Sequence, residues 1–195
     1  VKKGDKIGVL LPNCPEFLFL WFGIAKAGAV MVPYNIEWKG DLLSFILRHS
    51  NTRGMIVHQE FLPQLQEVLS RPSPLDFLVI NPAAETSIPQ GAVDFREFFS
   101  GPAHFASPPI SPYDPFQIMY TSGTTGKPKG AILHQRGFVL TAMLVSDFIQ
   151  YQPEDKMICS IPLFHITGLA CLMLPPIFSG VACVYMRTFK TKDFL

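Results

Sequence analysis

Short apolar runs alternate along this chain with longer stretches in which apolar residues recur every three or four positions. Residues 7–11 form the first run, closed by Pro12-Asn13, and predict a buried strand and a turn. Asn13 or the residues after it start a helix, with Pro15 and Glu16 suited to its first turn. Residues 17–27 are apolar nearly all round, which predicts a helix buried on every side and ended by Gly28. Residues 29–33, 54–58 and 76–80 read as further strands, and 41–49 and 61–69 as helices. Strand and helix alternate, and connections of that kind favour a parallel sheet.

The pattern loosens over 81–115, where prolines and glycines crowd in around one aromatic patch at 95–99. Residues 101–109 are the best connector, so a boundary is expected over 100–115. That divides the chain into a first α/β unit at 1–99 and a second segment at 116–195. In the second segment, 116–120, 131–133, 157–161 and 181–186 predict strands, and 135–149 and 165–178 predict helices. The predicted fold class is therefore α/β, built from alternating strand–helix units with mainly parallel sheets. Residues 163–186 carry no Asp, Glu, Lys or Arg, but Pro162, Pro175-Pro176 and Gly180 cut them into pieces too short to cross a bilayer as one helix.

Composition narrows the function. The chain is long and apolar enough for one domain with a sizeable core. Its formal net charge is +1 with no basic stripe, which argues against a nucleic-acid partner. Cys14, Cys159, Cys171 and Cys183 lie too far apart for a zinc pattern and read as free thiols of a reducing compartment, so a cytoplasmic location is expected. No charged n-region followed by an apolar h-region is visible at the start, so a signal peptide is not expected. Val1 already stands in the run-up to a strand, and Lys192 to Leu195 reads as the opening turn of a helix. Both ends read as cut, as in a fragment of a longer protein.

Between the predicted strands at 116–120 and 131–133 lies Thr121-Ser122-Gly123-Thr124-Thr125-Gly126-Lys127-Pro128-Lys129-Gly130. Glycine lets backbone approach a ligand closely, and successive N–H groups in such a turn converge on an anion. Hydroxyls add rotatable donors and lysines add compact positive charge. Composition alone leaves a solvated surface turn equally open, but a loop held between two core strands favours a polyphosphate cradle. It is not the Walker A pattern, because Thr121 and Pro128 stand where that motif needs Gly and Ser/Thr.

This loop resembles the signature loop of the adenylate-forming family: acyl-CoA synthetases, luciferase and peptide-synthetase adenylation domains. The likeness extends to Asn13-Cys14-Pro15-Glu16-Phe17, to Ala25-Lys26-Ala27-Gly28 and to Pro162-Leu163-Phe164-His165-Ile166-Thr167-Gly168. The resemblance implies the partial N-terminal domain of that fold. It further implies an ATP-dependent carboxylic acid–CoA ligase that makes acyl-AMP and pyrophosphate and then a CoA thioester. Another adenylating enzyme and a non-catalytic nucleotide-binding module are the alternatives. Implied cofactors are ATP, Mg²⁺ and coenzyme A; the implied partner is a small carboxylic acid, with peripheral membrane association open for long-chain acids.

By resemblance, Thr121, Ser122, Gly123, Thr124, Thr125, Gly126, Lys129 and Gly130 bind the ATP phosphates, with Thr121 or Thr125 near the Mg²⁺. His165 would stand at the acyl pocket beside the carboxylate, with Phe164 and Gly168 shaping that pocket. Lys127 occupies a variable position of the loop. His134-Gln135 departs from the Thr-His common in the family. The family's later glutamate, aspartate and lysine would lie beyond Leu195, so the fragment alone is expected to be inactive or nearly so. His49, His58 and His104 share no ligand spacing and read as structural.

Overall fold

The structure, a computed structural model, describes residues 1–69, 75–83, 87–101, 104–121 and 127–194. Strands β1 (Lys6–Leu10), β2 (Val30–Pro33), β3 (Thr52–His58) and β4 (Phe77–Asn81) alternate with helices α1 (Pro15–Lys26), α2 (Gly40–His49) and α3 (Leu62–Leu69). A two-residue strand β5 (Val93–Asp94) follows, then β6 (Pro115–Thr121) and β7 (Lys129–His134). Together these make one seven-stranded sheet in the order β5-β4-β3-β1-β2-β6-β7. Every pairing is parallel except the β6–β7 hairpin.

Side chains of a strand point alternately to its two faces, and both faces of this sheet are covered. Ile7, Val9, Met31, Ile56 and Val79 pack on one side under Phe17, Leu20, Trp21 and Ile24 of α1. Leu10, Val32, Met55, Val57 and Ile80 pack on the other, under Leu43, Ile46 and Leu47 of α2 and Leu65 of α3. Buried on both sides, the strands need unbroken apolar runs, which is why they are legible in the sequence.

The expected boundary at 100–115 separates two stretches of chain, yet the sheet runs across it, since β6 lies beside β2 with Met31 opposite Gln117. Trp21 of α1 binds the two stretches together. Its indole N–H donates to the buried Gln117 Oε1 at 3.1 Å, and its ring meets Phe116 and Phe138 edge-on.

Three expectations need correction. Helix α1 is not buried all round: Phe19 and Phe22 are exposed, because the helix lies on the outside of the sheet with one side to solvent. The stretch 81–115 is not without elements; β5 and a 3₁₀ turn at Phe95–Ser100 pack Phe95 into the core. The helix expected over 165–178 is a π-helical turn at Thr167–Met173 followed by α5 (Leu174–Phe178), since Pro175 and Pro176 fit only the first turn of a new helix.

The second segment completes the fold with α4 (Gln135–Ile149), a two-stranded parallel sheet of β8 (Lys156–Cys159) and β9 (Ala182–Tyr185), and α6 (Thr191–Phe194). All four cysteines are free thiols. Among the described residues no helix is long and apolar enough to cross a membrane.

Candidate functional site

The connection out of β1 runs to β2 on one side, whereas that out of β2 runs back past β1 to β3. Such a reversal opens a crevice beyond the carboxyl ends of the strands. Beside that point, beyond the carboxyl ends of the next strands β2 and β6, lies a cleft of about 490 Å³. Pro33, Asn35 and Trp38, from the end of β2 and the turn after it, form one wall. Met119, Tyr120 and Thr121 at the end of β6, with Pro128 on the returning limb, form another. Phe164, His165 and Ile166 close it from the second segment.

The cleft thus brings together Thr121 and His165, two of the expected site residues, from stretches far apart in sequence. Lys129 is paired directly opposite Thr121 across the β6–β7 hairpin. Cross-strand partners project to the same face, so the Lys129 and Thr121 side chains lie on one face of the hairpin. Phe164 is half-buried on the wall. Ser122, Gly123, Thr124, Thr125 and Gly126 lie outside the described residues.

Two of the expected site glycines stand where neighbouring atoms leave no room for a side chain. A Cβ at Gly130 would lie 2.9 Å from Ile118 Cγ2 and 3.2 Å from Tyr120 Cζ, so Gly130 makes room for the Tyr120 ring. Gly168 is buried, and a Cβ there would lie 2.4 Å from the Pro162 carbonyl oxygen. It does not line the cleft; it lets the π-helical turn close under Pro162, which fixes where Phe164 and His165 emerge.

His165 is exposed, and its Nδ1 accepts from the Thr167 backbone N–H at 3.3 Å. In the neutral imidazole that leaves Nε2 as the donor, suited to a carboxylate or phosphate oxygen. The wall opposite is anchored by Tyr34, whose hydroxyl bonds Ser50 and Thr52 deep in the core. Burial pushes that phenol up to about 12, so it stays a neutral hydrogen-bonding group.

Sequence reasoning missed two residues that shape this site. Asn13 is buried at the head of α1; its amide N–H₂ donates to Ile161 O and Met186 O, each at 3.0 Å, and its Oδ1 accepts from Leu163 N–H at 2.7 Å. It therefore locks the strand ends of both sheets to the segment carrying His165. His49, expected to be structural, shares a 2.7 Å hydrogen bond with the hydroxyl of Tyr120 on the cleft wall. Neither partner is visible in the local pattern. Among the described residues, no group of three or more His, Cys, Asp or Glu side chains stands close enough to hold a metal ion.

The whole chain, residues 1–195, matches the family described as AMP-binding enzyme. The chain belongs to the AMP-binding enzyme family. A crotonobetaine/carnitine–CoA ligase of Proteus mirabilis is 33% identical over 199 residues, covering all of this AMP-binding chain but only 38% of that relative. The chain thus spans well under half the length of the curated relatives it matches. Among solved structures, an anthranilate–CoA ligase in complex with anthranoyl-AMP is 28% identical with a TM-score of 0.89, over 97% of this chain and 36% of that one. The N-terminal domain of FACL13 from Mycobacterium tuberculosis is 27% identical with a TM-score of 0.83, over 100% and 47%. The α/β architecture of this AMP-binding chain is that of the N-terminal domain of acyl-CoA synthetase-like structures.

Proposed function

We propose that this chain is the phosphate-loop portion of an ATP-dependent carboxylic acid–CoA ligase. The observation that carries the reading is the meeting of Thr121, at the root of the loop, with His165 across one cleft. The CoA-ligase names of the relatives support it. In the proposed reaction an acid's carboxylate oxygen attacks the α-phosphorus of ATP. An O–P bond forms, the bond to the β-phosphate oxygen breaks, and pyrophosphate leaves. A thiol, coenzyme A, then attacks the acyl carbon and releases AMP.

The residues of this chain act by position and charge. Thr121 offers a hydroxyl at the mouth of the loop, and Ser122, Thr124 and Thr125 would offer more. Lys129 would face the negative charge growing on the departing pyrophosphate. A unit charge pair about 4 Å apart is worth roughly 4 kcal/mol at an effective dielectric of ~20. Donors already in place need no reorganisation as that charge develops. His165 Nε2–H would hold an oxygen of the acid or of the α-phosphate, with Phe164 against the acid's apolar part. Mg²⁺, when bound with ATP near Thr121 or Thr125, would neutralise phosphate charge. We take the chain by itself to be inactive, because it spans so small a share of its relatives.

The test is ATP–pyrophosphate exchange by the full-length protein against a panel of acids, with thioester formation followed when CoA is added. Exchange with at least one acid and a thioester only with CoA is expected. Exchange with no acid overturns the enzymatic reading, and exchange without thioester assigns the protein to another adenylating class.

A further inference from the structure

Helix α2 touches both limbs of the hairpin that carries the phosphate loop. On the incoming limb, His49 Nδ1 and the Tyr120 hydroxyl share their 2.7 Å hydrogen bond, and Trp38 meets the Tyr120 ring edge-on at 6.4 Å. On the returning limb, Lys127 Nζ stands 5.6 Å from the centroid of the Phe45 ring, within reach of a cation–π attraction. Phe45 and His49 lie one turn apart on the same side of α2. Their rings stack, with centroids 5.2 Å apart and planes 28° from parallel. One turn of one helix therefore holds two residues on either side of the loop.

These contacts are additional to what the fold requires. The β6–β7 hairpin is already held by its own ladder from Pro115 to Thr121, and α2 is already seated through Leu43, Ile46 and Leu47. His49 is exposed, and Phe45 is half-buried at the edge of the core. What they add is a fixed relation between the two ends of a glycine-rich loop and the cleft wall. Glycine loses more conformational freedom on ordering than any other residue. Donors aimed at a developing charge act only if they are in place beforehand. Tethering both ends supplies that order without touching the ligand.

We propose that His49 and Phe45 are positioning residues for the phosphate loop, acting through Tyr120 and Lys127, and that they serve the binding of ATP rather than of the acid. Its kinetic readout rests on the ligase reading above; its second readout does not. Lys127, a variable position by sequence, is in this view the anchor of the returning limb.

In the full-length protein, His49→Ala and Tyr120→Phe should each raise KM for ATP in pyrophosphate exchange by about five- to twentyfold, the scale of one lost hydrogen bond. The acid's KM should stay within about twofold, and the double variant should be no worse than the poorer single one. His49→Asn places an amide nitrogen or oxygen where Nδ1 stands and should restore most of the loss. Unchanged KM for ATP, equal losses for ATP and acid, or additive single effects would each overturn the assignment. Hydrogen exchange of the 195-residue chain reads the same tether without catalysis. The peptide spanning 117–130 should exchange about threefold faster or more in His49→Ala and return toward wild type in His49→Asn. Unchanged exchange sinks the brace even if the enzyme is active. Faster exchange in a protein whose full-length form shows no pyrophosphate exchange keeps the brace and discards only the ligase reading.

Discussion

Asn13 and Leu163 are 150 positions apart in sequence, and the Leu163 backbone N–H donates to Asn13 Oδ1 at 2.7 Å. The same side chain donates to the carbonyls of Ile161 and Met186. A single buried amide thus satisfies three backbone groups at the base of the segment that carries Phe164 and His165.

Asn13→Ala should destabilise the chain by about 2–4 kcal/mol, because it leaves a buried N–H and two carbonyls without their partner. Asn13→Asp should do no better, since a carboxylate oxygen would then face two carbonyl oxygens. Urea unfolding checks both. A midpoint within error of wild type for Asn13→Ala would show that the bridge contributes nothing.

Lys129→Ala in the full-length protein should slow adenylation by up to about three decades, with far less effect on thioester formation from supplied acyl-AMP. Lys129 is paired opposite Thr121 at the root of the loop, and the proposed role gives its charge to the departing pyrophosphate and not to the thiol step. Single-turnover measurement of each half-reaction separates the two. Equal slowing of both would remove Lys129 from the proposed role.

His58 makes stability depend on pH. It is buried at the end of β3, its Nδ1 accepts from the Glu60 backbone N–H at 3.3 Å, and Arg187 lies nearby. Burial first, and the Arg187 charge second, hold its pKa below the ordinary 6.5, with Glu60 opposing. The unfolded chain therefore takes up this proton before the folded one as the pH falls. The associated stability is complete above 6.5 and is lost as the pH drops from there through the lowered folded value. The melting temperature should fall between neutral pH and about 5, and His58→Gln should flatten that fall. A parallel fall in the variant would assign the acid sensitivity elsewhere.

The four thiols should differ in reactivity. Cys14 and Cys159 are buried, and desolvation pushes each up to about 12, so neither supplies thiolate at neutral pH. Cys171 and Cys183 are only partly buried, and burial raises Cys183 as well. Cys171 should therefore be labelled first by a thiol-specific disulfide reagent, with Cys14 and Cys159 reacting only on unfolding. Mass mapping of early adducts checks this. Early modification of Cys14 would contradict the packing at the head of α1.

The strand–helix order of 1–81 was legible because strands buried on both faces must be unbroken apolar runs, and β1 to β4 are such runs. The two-residue β5 is too short to leave a pattern, and the outward Phe19 and Phe22 defeat any inference from hydrophobicity alone. The antiparallel turn of β7 against β6 follows from the loop between them being short, a feature open to reading in advance. Gly168 lies against the backbone of Ile161 and Pro162, a packing that likeness of motif does not reveal.

By itself, the amino-acid sequence determined the class of fold and the family, because each is written in local periodicity and in adjacent residue types. Only the tertiary structure decided that His165 and Thr121 line one cleft, that Asn13 anchors the backbone leading into Phe164 and His165, and that His49 bonds Tyr120 of the cleft wall. Those relations join residues 44 to 173 positions apart. No local pattern encodes them, since any buried amide or exposed imidazole looks the same until folding supplies its partner.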